Sequence, residues 1–258
     1  MKVKRIISKI IRHHLLFNFW VFVKRISLYG LNYGVASGLP EYSGENFIIK
    51  SILKKIDSPI IFDVGSNVGD WTSSVLNFLY KKKLMIYLIE PSTESFKQLN
   101  NKFSENKNIS IHKIGFNDIP RTLEISYDYP TEGSSGVFNS GKFKEEISTT
   151  TLDDFCIQNK IEKIDFIKMD VQGLEFNILK GAINLINSNK LSVIQFEIDA
   201  PSIDNRVFFK DFWDLLSEKY FIYHSLYNGL KKIEKYDPGL EIFLTMNYVA
   251  IQKNYKIL

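Results

Sequence analysis

From residue 59 onward, short unbroken apolar runs alternate with stretches of helical pattern. The runs are PIIFDVG, MIYLIEP, ISIHKIG, IDFIKMDV and LSVIQFEI. They are β-branched and continuous rather than alternating, which suits parallel strands covered on both faces. WTSSVLNFLY, STESFKQLNNKF, LEFNILKGAINLI and VFFKDFWDLLSEKY read as helices, with Ser92 at the N-cap position of the second. The alternation predicts an α/β, Rossmann-like, doubly wound sheet. The end of the chain breaks the rhythm. YFIYHSLYNG and EIFLTMNYVAIQK are strand-like with only a short polar link between them. The expectation is therefore a seven-strand sheet: five parallel strands and a reversed, antiparallel final hairpin. The only Gly/Ser-rich stretch, YPTEGSSGVFNSGK, interrupts the region between the third and fourth strands.

In such a sheet, ligands bind beyond the carboxyl ends of the strands at the switch point. The first strand runs into a loop there, IIFDVGSNVGDW, Ile60 to Trp71. An ordinary turn needs one permissive residue. This loop has Asp63, Gly65, Ser66, Asn67 and Gly69 in succession. The two glycines let the backbone turn tightly and approach a ligand, and the helix that follows offers free N–H groups. Asp63 is an acceptor for a ligand ammonium group or for the loop itself. The second strand ends at Glu90, 21 residues after Gly69, where an acid can accept the hydroxyls of a ribose. Loop and acid together point to a nucleoside ligand; the plain alternative is a strand-to-helix turn with a solvated Glu90. The spacing is D-x-G-x-N-x-G rather than G-x-G-x-x-G, which favours a nucleoside with an amino-acid tail over a dinucleotide. GVFNSGKF, Gly136 to Phe143, nearly matches a phosphate-binding loop, but Phe143 lacks the hydroxyl that magnesium needs, so it reads as a chance match.

Composition narrows the function class. The lone Cys156 cannot form an internal disulfide, which fits a reducing, cytoplasmic setting. No C-x-x-C or H-E-x-x-H pattern occurs, so no metal site is readable. The net charge is +4, yet the first 40 residues hold seven bases and no acid, leaving 26 bases against 29 acids elsewhere. A slightly acidic body argues against a nucleic-acid partner.

Residues 1–44 read as a basic, amphipathic helical extension and residues 45–258 as the main domain. In the extension, Ile7, Ile10, Ile11, Leu15, Phe19, Phe22 and Ile26 recur at helical spacing. LLFNFWVFV is far shorter than the ~20 apolar residues that span a bilayer, and Lys24 and Arg25 behind it do not suit a signal peptide. Two readings stand: packing on its own domain, which we prefer, or peripheral membrane contact through residues 1–28 at the inner face of the membrane.

FDVGSNVGDW, LIEPSTESFKQL, TTLDDF and IDFIKMDVQGLEFNILKGA, in that order, resemble the FkbM family of S-adenosylmethionine-dependent methyltransferases. The resemblance covers about residues 45 to 252 and is most specific from Thr150 to Ala182. It implies a class I methyltransferase fold, S-adenosylmethionine as cofactor and O-methylation, most often of sugar or polyketide-type hydroxyls. It also implies that Asp63, Gly65, Asn67 and Gly69 lie around the methionine part of the cofactor, Glu90 on the ribose, and Asn117 and Asp118 beside adenine. Asp170, Gly173 and Glu175 match the block after the fourth strand, where Gln172 replaces a common acid.

Methyl transfer is an in-line displacement that needs alignment and a proton acceptor. Asp170 and Glu197 end neighbouring strands and are the first and second candidates; His224, on the late hairpin, is the third. Two close carboxylates could instead hold a divalent metal ion, although no motif supports one. Thr151, with Asp154 three residues on, reads as a helix cap, and Glu175 in a first helical turn is as apt to cap as to touch substrate. The expected acceptor is a hydroxyl-bearing small molecule or glycan, such as a sugar in a bacterial-type glycan or its precursor. The competing readings are an NAD-dependent oxidoreductase, disfavoured by the loop spacing, and a non-catalytic, membrane-associated scaffold, disfavoured by the intact Asp63, Gly65, Gly69 and Glu90 set.

Overall fold

The apolar runs fold as the strands that their composition demands. The structure, a computed structural model, describes residues 9, 11–35, 43–128, 137 and 141–255. In chain order the strands are β1 (Ile60–Val64), β2 (Met85–Ile89), β3 (Ile109–His112), β4 (Gly115–Phe116), β5 (Arg121–Tyr127), β6 (Phe143–Thr150), β7 (Ile164–Met169), β8 (Leu191–Ile198), β9 (Tyr220–Leu226), β10 (Gly229–Lys232) and β11 (Met246–Gln252). The main sheet has the order β10-β9-β11-β8-β7-β1-β2-β3. Its five central and distal members, β8, β7, β1, β2 and β3, are parallel. Every residue of β7 and β8 is buried, as continuous apolar runs require.

Alternate side chains feed two cores. Phe62, Ile167, Ile194 and Phe196 face one; Ile61, Phe166, Val193 and Val249 face the other. The order reverses between β1 and β7, so the switch point lies at the ends of these two strands.

The final pair is antiparallel, but it is not a simple reversed hairpin. β11 inserts between β8 and β9, antiparallel to both, so β9 runs with the parallel strands and only β11 of the pair runs against them. The polar link NGLKK contributes β10, an eighth strand at the edge. A second, three-stranded sheet, β4-β6-β5, stands between the third and fourth parallel strands. Its main strands largely alternate in burial, with Ile125 and Ile147 buried and Glu124, Glu146 and Ser148 exposed. That period-two pattern marks a sheet covered on one face.

The N-terminal helix Phe17–Gly30 corrects the preferred reading. None of its residues is buried, and Phe17, Phe19, Phe22, Ile26 and Tyr29 are exposed. It does not pack along the domain. Leu28 is its partly buried foothold, and Asn32 and Tyr33, just beyond it, are buried. No helix among the described residues is long and apolar enough to cross a membrane.

Thr151 caps the helix Leu152–Gln158, its Oγ1 accepting from Asp154 N at 3.0 Å. Ser92 occupies its predicted N-cap position without a side-chain capping bond. Thr151→Ala should therefore lower stability by about 1 kcal/mol, measured as a shift of the urea midpoint at constant slope; an unchanged midpoint would show the cap to be idle.

Candidate active site

The loop after β1 is built by its own side chains. Gly65 has φ +76°, and a Cβ there would sit 2.0 Å from the Asp170 carbonyl oxygen, so only glycine lets the loop close on the end of β7. Ser66 Oγ donates to Asp63 O at 2.6 Å and accepts from Ile89 N at 3.1 Å, tying the loop to β2. Asn67 adopts φ +45° and turns its N–H onto Glu90 Oε2 at 2.8 Å. Gly69 serves packing: a Cβ would meet Phe103 at 2.4 Å and Leu99 at 2.9 Å.

Gly65, Asn67 and Glu90 line an open cleft at the carboxyl ends of the strands. One wall is apolar, with Ile89, Phe116, Ile125 and Ile147; Glu90, Thr149 and Asp170 supply polar edges. Ile125, Ile147 and Thr149 come from the second sheet, which sequence reasoning missed. Glu90 is buried, and its oxygens accept from Asn67 N and from Ser92 N at 2.9 Å. Each oxygen keeps a lone pair for a further donor. Burial pushes its pKa up to about 7, against the opposing pull of those two N–H groups. This lining fits S-adenosylmethionine: a carboxylate for ribose hydroxyls and an apolar wall for a base, with a second carboxylate, Asp170, also lining the cleft.

Behind the cleft lies a buried cation that sequence reasoning did not single out. Lys168, the one charged interruption late in the run IDFIKM, is 6% exposed. Its Nζ reaches Asp170 Oδ2 at 3.0 Å and Glu45 Oε1 at 3.9 Å. Asp63 stands beside it in register on β1, and Gln195 on β8. These carboxylates raise the Lys168 pKa despite burial. Burial raises the pKa of Asp63 and Glu45, and Lys168 opposes this in both. Asp63 Oδ2 accepts from Thr72 Oγ1 at 2.6 Å, so this residue faces the ammonium and its own helix rather than the cleft.

Asp170 lines the cleft with its side chain 37% exposed. Glu197 is one residue beyond the Met169↔Phe196 pair on the neighbouring strand, so the structure brings these two candidates together. Glu197 is buried and its pKa is raised well above the usual range, by burial first and then by Asp170, Asp199 and Glu175. Asp199 is raised to about 6 and Glu175 to about 8, burial again leading. Glu175 clasps the preceding loop, accepting from Val171 N at 2.7 Å and Gly173 N at 2.9 Å. Among the described residues no group of three His, Cys, Asp or Glu side chains is arranged to hold a metal ion.

The other candidates lie elsewhere. His224 Nε2 is 2.6 Å from Leu31 O, to which it donates, and its ring meets Tyr33 and Tyr248 edge-on. β11 and β8 stand between its strand and β7. Asn117 is fully buried, its Oδ1 accepting from Asp118 N and Asn177 Nδ2, with Nδ2 unpartnered. The Asp118 carboxylate pairs with Arg121 and Lys180 and does not line the cleft. Gln172 lines the cleft at φ +56°. Half of GVFNSGKF lies outside the described residues.

Lys168→Met would leave Glu45, Asp63 and Asp170 without their counter-charge. A loss of about 3–5 kcal/mol is expected. Without the ammonium, the folded-state pKa values of Glu45 and Asp63, already raised by burial, rise further above their unfolded values. The deficit should therefore be largest at high pH and shrink in acid. Urea unfolding across pH checks this; a small, pH-independent deficit would contradict it.

Residues 63–223 match the FkbM methyltransferase domain. The chain is 23% identical to hexuronic acid methyltransferase AglP of Haloferax volcanii, over 68% of this chain and 69% of that protein. It is 24% identical to the 2-O-methyltransferase NoeI of Sinorhizobium fredii, over 57% of this chain and 67% of that one. Among solved structures, methyltransferase FkbM from Methylobacillus flagellatus KT matches with a TM-score of 0.50 at 18% identity, a likeness of fold. That match covers 82% of this chain and 50% of the solved one, so the chain spans about half the length of that protein. With its fold, its strand-end loop and a domain match over most of its length, the chain belongs to the FkbM family of methyltransferases, whose chemistry is methyl transfer from S-adenosylmethionine.

Proposed function

We propose that this protein transfers a methyl group from S-adenosylmethionine to a sugar hydroxyl, on a glycan or a sugar-bearing precursor. The observation that carries the reading is Glu90 in the wall of the cleft, beside the loop that Gly65 lets close. The names of two relatives, a hexuronic acid methyltransferase and a 2-O-methyltransferase, support a sugar hydroxyl as acceptor. The buried, free Cys156 suits a reducing, cytoplasmic setting.

When bound, the cofactor supplies an electrophilic methyl group on a sulfonium. Glu90 would hold the ribose hydroxyls with its remaining lone pairs, and Ile89, Phe116, Ile125 and Ile147 would shelter the base from water. Asp170 receives the acceptor's hydroxyl proton. Its hydrogen bond from Lys168 Nζ fixes the carboxylate in direction. The proton need only move as the new bond forms. Glu197, next in register, is a buried neighbour whose pKa burial raises well above the usual range, and it can take the proton on. His224, tied to Leu31, has no part in this scheme.

Ribose hydroxyls donate best to an ionised acid, and Glu90 is half protonated near pH 7. Cofactor affinity should rise with pH through about 7, by up to roughly tenfold per unit on the acid side, and level off above. Calorimetric titration checks this, with Glu90→Gln as the control: the variant should bind at least tenfold more weakly and lose the pH slope. Equal affinity in the variant would remove Glu90 from the ribose.

Asp170→Asn should lower turnover on a uronic-acid-containing glycan roughly 10²- to 10⁴-fold, with Glu197→Gln less affected. The assay is transfer of labelled methyl, run with and without chelator, with cofactor binding measured in parallel. Near-normal turnover in both variants, cofactor still bound, would remove carboxylate catalysis.

A further inference from the structure

The methyltransferase reading gives no task to the helix Phe17–Gly30. Phe19, Phe22, Ile26 and Tyr29 recur at spacings of three, four and three, so they share one stripe of the helix. They are 52, 60, 56 and 70% exposed. Lys24 and Arg25 lie outside that stripe, and Lys9 and Arg12 precede the helix. An apolar stripe this open, on a helix with no buried residue, is unpartnered among the described residues.

We propose that this helix lies in the face of an anionic lipid bilayer, its aromatic stripe in the acyl boundary and its bases among the headgroup phosphates. Charge decides the occupant. The first 40 residues carry seven bases and no acid. A second copy of the helix would bring only like charges together, and the rest of the chain offers a net of just −3. Nucleic acid would satisfy the bases and leave the stripe in water. An anionic bilayer satisfies both at once. Fourteen residues of helix are about 21 Å long, short of the ~30 Å hydrocarbon thickness, so the helix lies in the interface rather than across it.

The helix is also firmly rooted. Leu31 O accepts from His224 Nε2, Asn32 Nδ2 donates to Ser225 O at 3.1 Å, and Gly34 N donates to Thr245 O at 2.9 Å. Thr245 precedes Met246, which pairs with Ile198 at the carboxyl end of β8. The helix thus leaves the domain at the end of the sheet that carries the cleft. Its lipid contact does not depend on which hydroxyl is methylated.

The test uses the full chain with sedimented vesicles of phosphatidylcholine alone and of phosphatidylcholine mixed with phosphatidylglycerol. Binding to the mixed vesicles only, weakened by added salt, is expected. Phe22→Gln with Ile26→Gln, and separately Lys24→Glu with Arg25→Glu, should each weaken it by on the order of tenfold. These side chains are exposed, so unfolding midpoints should stay put, which shows that any loss is one of docking. Failure of the full chain to bind the mixed vesicles would overturn the proposal, as would equal binding by the variants. A concentration-dependent dimer in light scattering, abolished by Phe22→Gln with Ile26→Gln in a protein that ignores vesicles, would assign the stripe to a second copy instead.

Discussion

The site hangs on one buried ammonium group. Lys168 stands near the carboxyl end of β7, at the switch point, among Asp63, Asp170 and Glu45. The carboxylates hold the proton on Lys168 against burial, and the ammonium opposes the burial that raises the pKa of Asp63 and Glu45. The charge pattern is directional. Asp63 is tied to Thr72 at the start of the helix behind the loop. Glu45 arrives from a distant segment, held by Ser43 Oγ at 3.1 Å and Gln195 Nε2 at 3.1 Å. Asp170 alone of the three reaches the cleft. One cation thus locks two acids as structure and presents the third as chemistry.

The rest of the site follows from how backbone reaches that centre. Gly65 lets the β1 loop close on the Asp170 carbonyl, so the two strand ends lie in contact. Ser66 and Asn67 fasten the same loop to β2 and to Glu90. The second sheet closes the cleft from above and has its own latch: the Glu145 carboxylate accepts from Thr93 N at 3.1 Å and from Thr93 Oγ1, and pairs with Lys113 at 3.4 Å. That latch holds the carboxylate of Glu145 below the usual range against desolvation, through its hydrogen bonds to Thr93 and its Lys113 neighbour. The roof over Glu90 is thereby pinned to the helix that begins just after it.

The parallel strands, the loop from Asp63 to Gly69 and the acid at Glu90 are legible in sequence because each depends on local chemistry: apolar continuity, glycine turns, an acid at a strand end. Lys168 is visible as an oddity inside IDFIKM, but its partners Asp63 and Glu45 lie 105 and 123 residues away, and no local pattern pairs them. The second sheet hides for a different reason. Its strands alternate, so they lack the continuous apolar signal of β7 and β8 and read as part of a loop. Residue type also conceals direction. Gly69 and Ser66 sit in the right loop, yet one makes room for Phe103 and the other fastens backbone. His224 has an apt intrinsic pKa, but alternation along β9 places it toward Tyr33 and Tyr248. The N-terminal helix is correctly periodic; periodicity says that one face is apolar, not what covers it.

The account rests on the cleft being the cofactor site with Glu90 on the ribose and Asp170 at the reacting end. A crystal structure with S-adenosylhomocysteine tests this most directly. The account predicts both ribose hydroxyls within hydrogen-bond distance of the Glu90 carboxylate, the base against Ile89 and Phe116, and the sulfur at the end of the cleft lined by Asp170. A nucleoside bound outside this cleft, or lying in it with its ribose turned away from Glu90, would contradict it.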